Sequence, residues 1–189
     1  MNVLMTGVGG QGIILASDML SEVMMRSGYD VKKSEIHGMA QRGGSVMSHV
    51  RFAGHVDSPL IPYGCCDILL SFEELEAARY LKYLKKDATV IINQYRLAPP
   101  AVVSGSRAYP DVIPFLREKT RNIHLVPGSA IAEEMDNARG VNIILLGVLS
   151  TLMDPPESAW YDAINSMLKE KIRAANIEGF KRGRQIQIQ

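Results

Sequence analysis

Two stretches in the first quarter of this 189-residue chain carry residue types and spacings that could do chemistry. The first is Gly7-Val8-Gly9-Gly10-Gln11-Gly12, a G-x-G-x-x-G pattern between an apolar run and an amphipathic one. Glycines at that spacing tolerate a tight turn, let the backbone approach a ligand and let the next helix pack close to the strand. Unpaired N–H groups at a helix start then favour an anion. No Gly-Lys-Ser/Thr follows, which excludes a P-loop. A dinucleotide fold also needs an acid about 20 residues on to hold the ribose. Glu35 stands at the carboxyl end of the next expected strand, where that acid belongs, and Asp30 stands at the wrong end. Three readings stay open for the loop: a dinucleotide site, a site for an anion or coenzyme phosphate, and a turn serving only packing or an interface.

The second stretch is Glu35-Ile36-His37-Gly38-Met39-Ala40-Gln41-Arg42-Gly43-Gly44-Ser45. Arg42 can clamp a carboxylate or phosphate with two hydrogen bonds, and Gln41 can read a polar edge. His37 can move protons near neutral pH. The blander readings are a hydrogen-bonded structural His37 and an Arg42 that bridges to Glu35 or to a partner subunit. Ser45 has no G-x-S-x-G around it and so no nucleophile elbow. In a doubly wound sheet the loops after the first two strands open on one edge, so the two glycine-rich loops are expected to be neighbours. Gly7, Gly9, Gly10, Gln11, Gly12, His37, Gln41, Arg42, Gly43, Gly44 and Ser45 are therefore the candidate cofactor-binding residues, with no catalytic residue assigned.

Other chemistry finds little support. His37, His49, His55 and His124 lack paired ligand spacing, and Cys65-Cys66 is not C-x-x-C, so neither zinc nor an iron–sulfur cluster is indicated. The two cysteines read as small buried filler before a strand. Glu73, Glu74 and Glu76 read as the solvated start of a helix, where negative charge is favourable.

The elements that must position these loops follow from periodicity. Residues 2–6 read as a buried parallel strand. A helix over residues 11–26 shows an apolar stripe of Ala16, Met19, Leu20, Val23 and Met24. Residues 31–36 complete a strand–helix–strand unit, and 45–52 alternate as a third strand. Strands at 67–71, 89–92 and 123–126 alternate with helices at 73–84, 130–135 and 142–153, the last capped by Asn142. The four-proline region 95–114 reads as irregular or a hairpin, and one final helix carries Trp160 through Ile172 on a shared face. This alternation predicts a three-layer α/β domain with a mostly parallel sheet, helices on both faces and a Rossmann-like start. No linker or repeat divides residues 1–189.

Bulk properties narrow the partners. A net charge of +1 gives no reason to expect nucleic acid or an acidic membrane. Only Lys181-Arg182-Gly183-Arg184 is locally basic, and it reads as a solvated chain end. No signal peptide is visible, and the apolar stretch 141–153 is shorter than the about 20 residues a bilayer needs. Two adjacent cysteines build no disulfide framework, which suits the cytoplasm.

Together, Val8-Gly9-Gly10-Gln11-Gly12 and Glu35 to Val46 resemble the gamma-type subunits of 2-oxoacid:ferredoxin oxidoreductases. The His-Gly-Met-Ala-Gln-Arg-Gly-Gly wording is most similar to the beta subunits of the indolepyruvate branch. The first motif is generic and the second is long and specific. The resemblance implies an accessory subunit, not catalytic alone, of a complex that oxidatively decarboxylates a 2-oxoacid to an acyl-coenzyme A and passes electrons to ferredoxin. It implies that thiamine diphosphate and iron–sulfur clusters sit in a large catalytic partner subunit, and it admits coenzyme A as a ligand. From the motif, aryl pyruvates are the expected substrates. The alternative is a free-standing dinucleotide- or coenzyme-binding protein.

Overall fold

The computed structural model describes residues 1–38 and 43–188. Its centre is one six-stranded sheet in the order β2-β3-β1-β4-β5-β6. Strand β1 (Asn2–Val8) is buried at every position after the first, as its unbroken apolar run requires. On one side of β1 lie β4 (Cys66–Ser71), β5 (Leu84–Asn93) and β6 (Ile123–Val126), each parallel to its neighbour. On the other side β3 (Ser45–Ala53) runs antiparallel to β1, from Asn2↔Arg51 to Val8↔Ser45. Beyond it β2 (Asp30–His37) pairs antiparallel with β3. The expected strand–helix–strand unit is therefore present but split. β2 runs parallel to β1, yet β3 is wedged between them.

Period-two alternation in β3 sends Val46, Val50 and Phe52 to one face and Met47 to the other. The first face is covered by α1 (Ile13–Arg26), α6 (Val141–Ser150), α7 (Glu157–Met167) and α8 (Glu170–Arg184), with Trp160 and Phe180 stacked at 5.6 Å between ring centres. The second face is covered more thinly, by α2 (Glu74–Arg79) and α4 (Ile113–Arg117). The mostly parallel, two-faced α/β architecture matches the expectation.

Several local expectations are corrected by tertiary contacts. The helix expected over 73–84 ends at Arg79, because Leu84 pairs with Cys66 and pulls the chain into the sheet. The region 95–114 holds the short helix α3 (Pro100–Val103) and the start of α4, and no strand among its described residues. Asn142 does not cap α6; Gly140 does, and the Asn142 amide lies inside the first turn. The final helix is two helices, broken at Leu168, which adopts an extended ψ of 149° and lets α8 cross α6. The basic run is solvated only in part: it is the last turn of α8, where Lys181 and Arg182 are exposed while Arg184 donates to Ser150 Oγ (2.8 Å) and pairs with Glu157. Of the cysteines, Cys66 is buried filler but Cys65 is exposed. Among the described residues no helix is long and apolar enough to cross a membrane.

The α6–α8 crossing depends on two glycines. A Cβ on Gly183 would lie 2.0 Å from the Ile144 carbonyl oxygen, and one on Gly147 would lie 2.2 Å from that of Phe180. Both obstacles are helix backbone and cannot rotate away. Gly183→Ala is expected to destabilise the chain by about 2–3 kcal/mol, the upper range for overpacking, despite alanine's better helix propensity. A lower urea midpoint at unchanged slope would show it, with Gly54→Ala as control, since no described residue lies within 4 Å of that Cβ.

Candidate functional site

The glycine loop leaves β1 at the carboxyl edge of the sheet and enters α1 through Gly12, whose φ of 80° is left-handed. A Cβ there would also stand 2.6 Å from the Asn142 amide nitrogen, so both conformation and space demand glycine. Gln11 folds back over the turn. Its Oε1 accepts from the Val8 N–H (2.7 Å), and its Nε2 donates to the Phe72 carbonyl (3.3 Å). The Gly9 N–H donates to the Gly44 carbonyl at 2.9 Å. Part of the expected anion cradle is thus filled by the chain itself.

That last bond brings the two expected loops together. Gly38 N–H donates to the Ser45 carbonyl (2.8 Å), closing the base of the second loop, and Gly43 turns with a φ of 73°. Gln41 and Arg42, with Met39 and Ala40, lie outside the described residues. His37 is half exposed and contacts Glu35 at 3.3 Å. Glu35 also accepts from Lys33, whose ammonium holds its carboxyl below the usual range against the opposing effect of burial. As a ribose-holding acid Glu35 is badly placed. The wedge of β3 sets it two strand spacings, roughly 10 Å, from β1, where a dinucleotide fold has adjacent strands.

The open space lies on the other flank of the glycine loop. A cavity of about 620 Å³ is walled by Gly10, Gln11, Gly12 and Leu15 from the loop and α1. Phe72, Asn93 and Tyr95 come from the ends of β4 and β5. Ser129 and Glu133 of α5 (Gly128–Glu134) and the segment Ala138 to Asn142 close it. Gly12 and Leu15 border this space at the start of α1, where first-turn N–H groups lack intrahelical acceptors. Buried Asn93 donates to the Phe72 carbonyl (3.2 Å) and Ser129 Oγ (3.0 Å), and accepts from the Ser129 N–H. It fixes three loops to one another. Arg139 is exposed at the rim. Of the described residues among those expected from sequence, only Gly10, Gln11 and Gly12 line this cavity. Asn93 and Ser129 carried a readable signal, since each follows an apolar strand at the ligand edge. Tyr95, Arg139 and Asn142 carried none.

On the opposite face, the three glutamates expected as a solvated helix start are buried, at 1%, 7% and 4% exposure for Glu73, Glu74 and Glu76. Each has partners that offset the loss of water. Glu73 accepts from the Glu76 and Leu97 N–H groups and from the Tyr109 hydroxyl. Glu74 pairs with Arg96 (2.6 Å), and its N–H donates to the Tyr95 carbonyl. Glu76 accepts from Ser45 Oγ and from Arg79. Burial pushes the Glu76 carboxyl above its ordinary range, against Ser45 and Arg79.

Known proteins place this geometry. The chain is 38% identical to the indolepyruvate oxidoreductase subunit IorB of Archaeoglobus fulgidus, over 97% of this chain and 93% of that one. Its fold is that of the pyruvate oxidoreductase subunit PORC of Thermotoga maritima (TM-score 0.73, 22% identity, 97% and 94% of the two chains). It is also that of a 2-oxoglutarate:ferredoxin oxidoreductase of Magnetococcus marinus, solved with 2-oxoglutarate, coenzyme A and succinyl-CoA bound (TM-score 0.75, 22% identity). The match takes in 97% of this chain but only 30% of the Magnetococcus chain. With the family model matched over residues 2–186, the chain belongs to the pyruvate ferredoxin/flavodoxin oxidoreductase family.

Proposed function

We propose that this chain, as one domain over residues 1–189, is the accessory subunit of a 2-oxoacid:ferredoxin oxidoreductase that converts indolepyruvate or another aryl pyruvate to its acyl-coenzyme A. The observation that carries the reading is the near full-length identity to an indolepyruvate oxidoreductase subunit. In this reading a large catalytic subunit holds thiamine diphosphate and the iron–sulfur clusters, ferredoxin takes the electrons, and the complex is cytoplasmic. The donor set of this chain supports that division. Its two cysteines are adjacent, and burial pushes the Cys66 thiol up to about 12, far from a ready thiolate ligand.

Coenzyme A supplies the thiol that takes the acyl group, and the cavity beside the glycine loop fits the coenzyme's anionic end. The N–H groups that start α1 and the Arg139 guanidinium offer donors for phosphate, and Tyr95 offers a ring face. The second loop, with His37, Gln41, Arg42, Gly43, Gly44 and Ser45, is proposed to face the large subunit at the same edge. Exposed Ile14, Ile36 and Leu97 suit a subunit contact. The free-standing dinucleotide reading is weaker, because Gly9 and Gln11 fill the cradle and β3 displaces Glu35.

Co-expression with the large subunit should give dye reduction that depends on indolepyruvate and coenzyme A, whereas full activity of the large subunit alone would overturn the reading. Gly9 gives a sharper probe. It has no positive φ, and among the described residues a Cβ would meet nothing nearer than the Gly44 oxygen at 3.7 Å, so those residues do not require glycine there. Gly9→Ala is expected to keep the unfolding midpoint and to lose activity at least tenfold in the complex, through crowding of what approaches the loop. Arg139→Ala should raise the KM for coenzyme A by about tenfold, the effect of losing about 1.4 kcal/mol of charge-assisted hydrogen bonding. Calorimetric binding of NAD or FAD to the isolated chain would favour the alternative.

A further inference from the structure

Helix α2 has its buried carboxylates on both sides of the candidate site. Glu73 and Glu74 hold the segment that carries Tyr95, on the cavity side. Glu76 reaches the other way, to Ser45 at the base of the second loop. Ser45 is a node. Its carbonyl receives Gly38 N–H, and the carbonyl one residue earlier, of Gly44, receives the N–H of Gly9 in the glycine loop. Among the described residues its hydroxyl bonds to the Glu76 carboxylate and to the Tyr80 hydroxyl at 2.7 Å.

The chemistry of the acceptor fixes the direction of this chain of bonds. An ionised carboxylate only accepts, so Ser45 donates to Glu76 and must itself accept from Tyr80. The second oxygen of Glu76 accepts from Arg79 Nε at 3.0 Å, so both oxygens are in use. A carboxylate at 4% exposure is costly unless its partners need it, and α2 would pack more cheaply with an apolar residue here.

We infer that Glu76 is a positioning residue: through Ser45 and the Gly44 carbonyl it sets the glycine loop against the cavity in which the coenzyme is proposed to bind. The coenzyme part of this inference rests on the proposed function, while the positioning part concerns the isolated chain alone. Loss of the Ser45 hydroxyl or of the carboxylate frees the β3 start, and the Gly44–Gly9 bond then opens more often. A glutamine has one carbonyl oxygen for two donors, Ser45 and Arg79, and so restores half of the arrangement.

Hydrogen-exchange mass spectrometry on the full chain tests the positioning directly. Ser45→Ala and Glu76→Ala are expected to speed exchange in the peptide containing Gly9 by about tenfold, matching a loss of about 1.4 kcal/mol, with Glu76→Gln between them and wild type. The double variant Ser45→Ala/Glu76→Ala should exchange no faster than either single variant, since both remove one interaction. Unchanged exchange at Gly9 in Ser45→Ala, or additive effects in the double variant, would overturn the inference. Should Glu76→Ala fail to fold, Ser45→Ala and Glu76→Gln still decide. In the active complex Glu76→Gln should raise the KM for coenzyme A several-fold; a fall in kcat at unchanged KM would contradict the placement at the cavity. An inactive wild-type complex would count against the proposed function alone, because the exchange result does not depend on it.

Discussion

The antiparallel wedge of β3 between β1 and β2 is the constraint on which the rest of the site depends. It pairs with β1 along the full length of that strand, so the start of β3 is held beside the end of β1. A strand that runs against its neighbours delivers its N-terminal end to the carboxyl edge of the others. The Gly43-Gly44-Ser45 segment therefore arrives at the glycine loop, and the Gly9 N–H meets the Gly44 carbonyl. The same wedge moves β2 and Glu35 one strand further out. One topological choice thus joins the two glycine-rich loops and removes the acid that a dinucleotide site would use.

Around that edge the two faces of the sheet take different tasks. The α1, α6, α7 and α8 side is thick and apolar, and its helices approach closely enough that Gly147 and Gly183 meet backbone. Such a face resists deformation and gives α1 a fixed N-terminus. The α2 side is thin and carries its polar groups inside. Three buried glutamates with six side-chain or backbone donors hold the loops that surround the carboxyl edge. An edge built of loops needs such ties, since loops have no ladder of their own to fix them. The division also suits an accessory subunit, with a rigid back and an edge whose loops are set for contact.

How much of this was legible can be judged element by element. The alternation in β3, the stripe on α1 and the unbroken apolar run of β1 are local consequences of periodicity, and each element stands where its pattern placed it. The adjacency of the two glycine-rich loops was legible for a related reason, because parallel strands open their loops on one edge. Boundaries set by long-range pairing were not legible. Leu84 has a helical spacing from Leu81 but a partner in Cys66, and the sheet contact wins. Leu168 belongs to a continuous apolar stripe, yet the crossing of α8 over α6 breaks the helix there.

By itself, then, the sequence determined the class of the fold, the strand–glycine–helix entry, the second motif and the family, because these reside in spacing and residue type within short windows. Only the tertiary structure decided where the open space lies. Asn93 and Tyr95, Ser129, and Arg139 come from three separate segments, and no local pattern brings them to the flank of Gly10 to Gly12. Nor could spacing distinguish a solvated glutamate from a buried one. Glu73, Glu74 and Glu76 open a helix either way, and burial follows from what covers them, namely Ser45, Tyr109 and the loop after β5. The direction of β3 made the same kind of difference, because strand order is a property of the assembled sheet and leaves no mark on the alternation of any one strand.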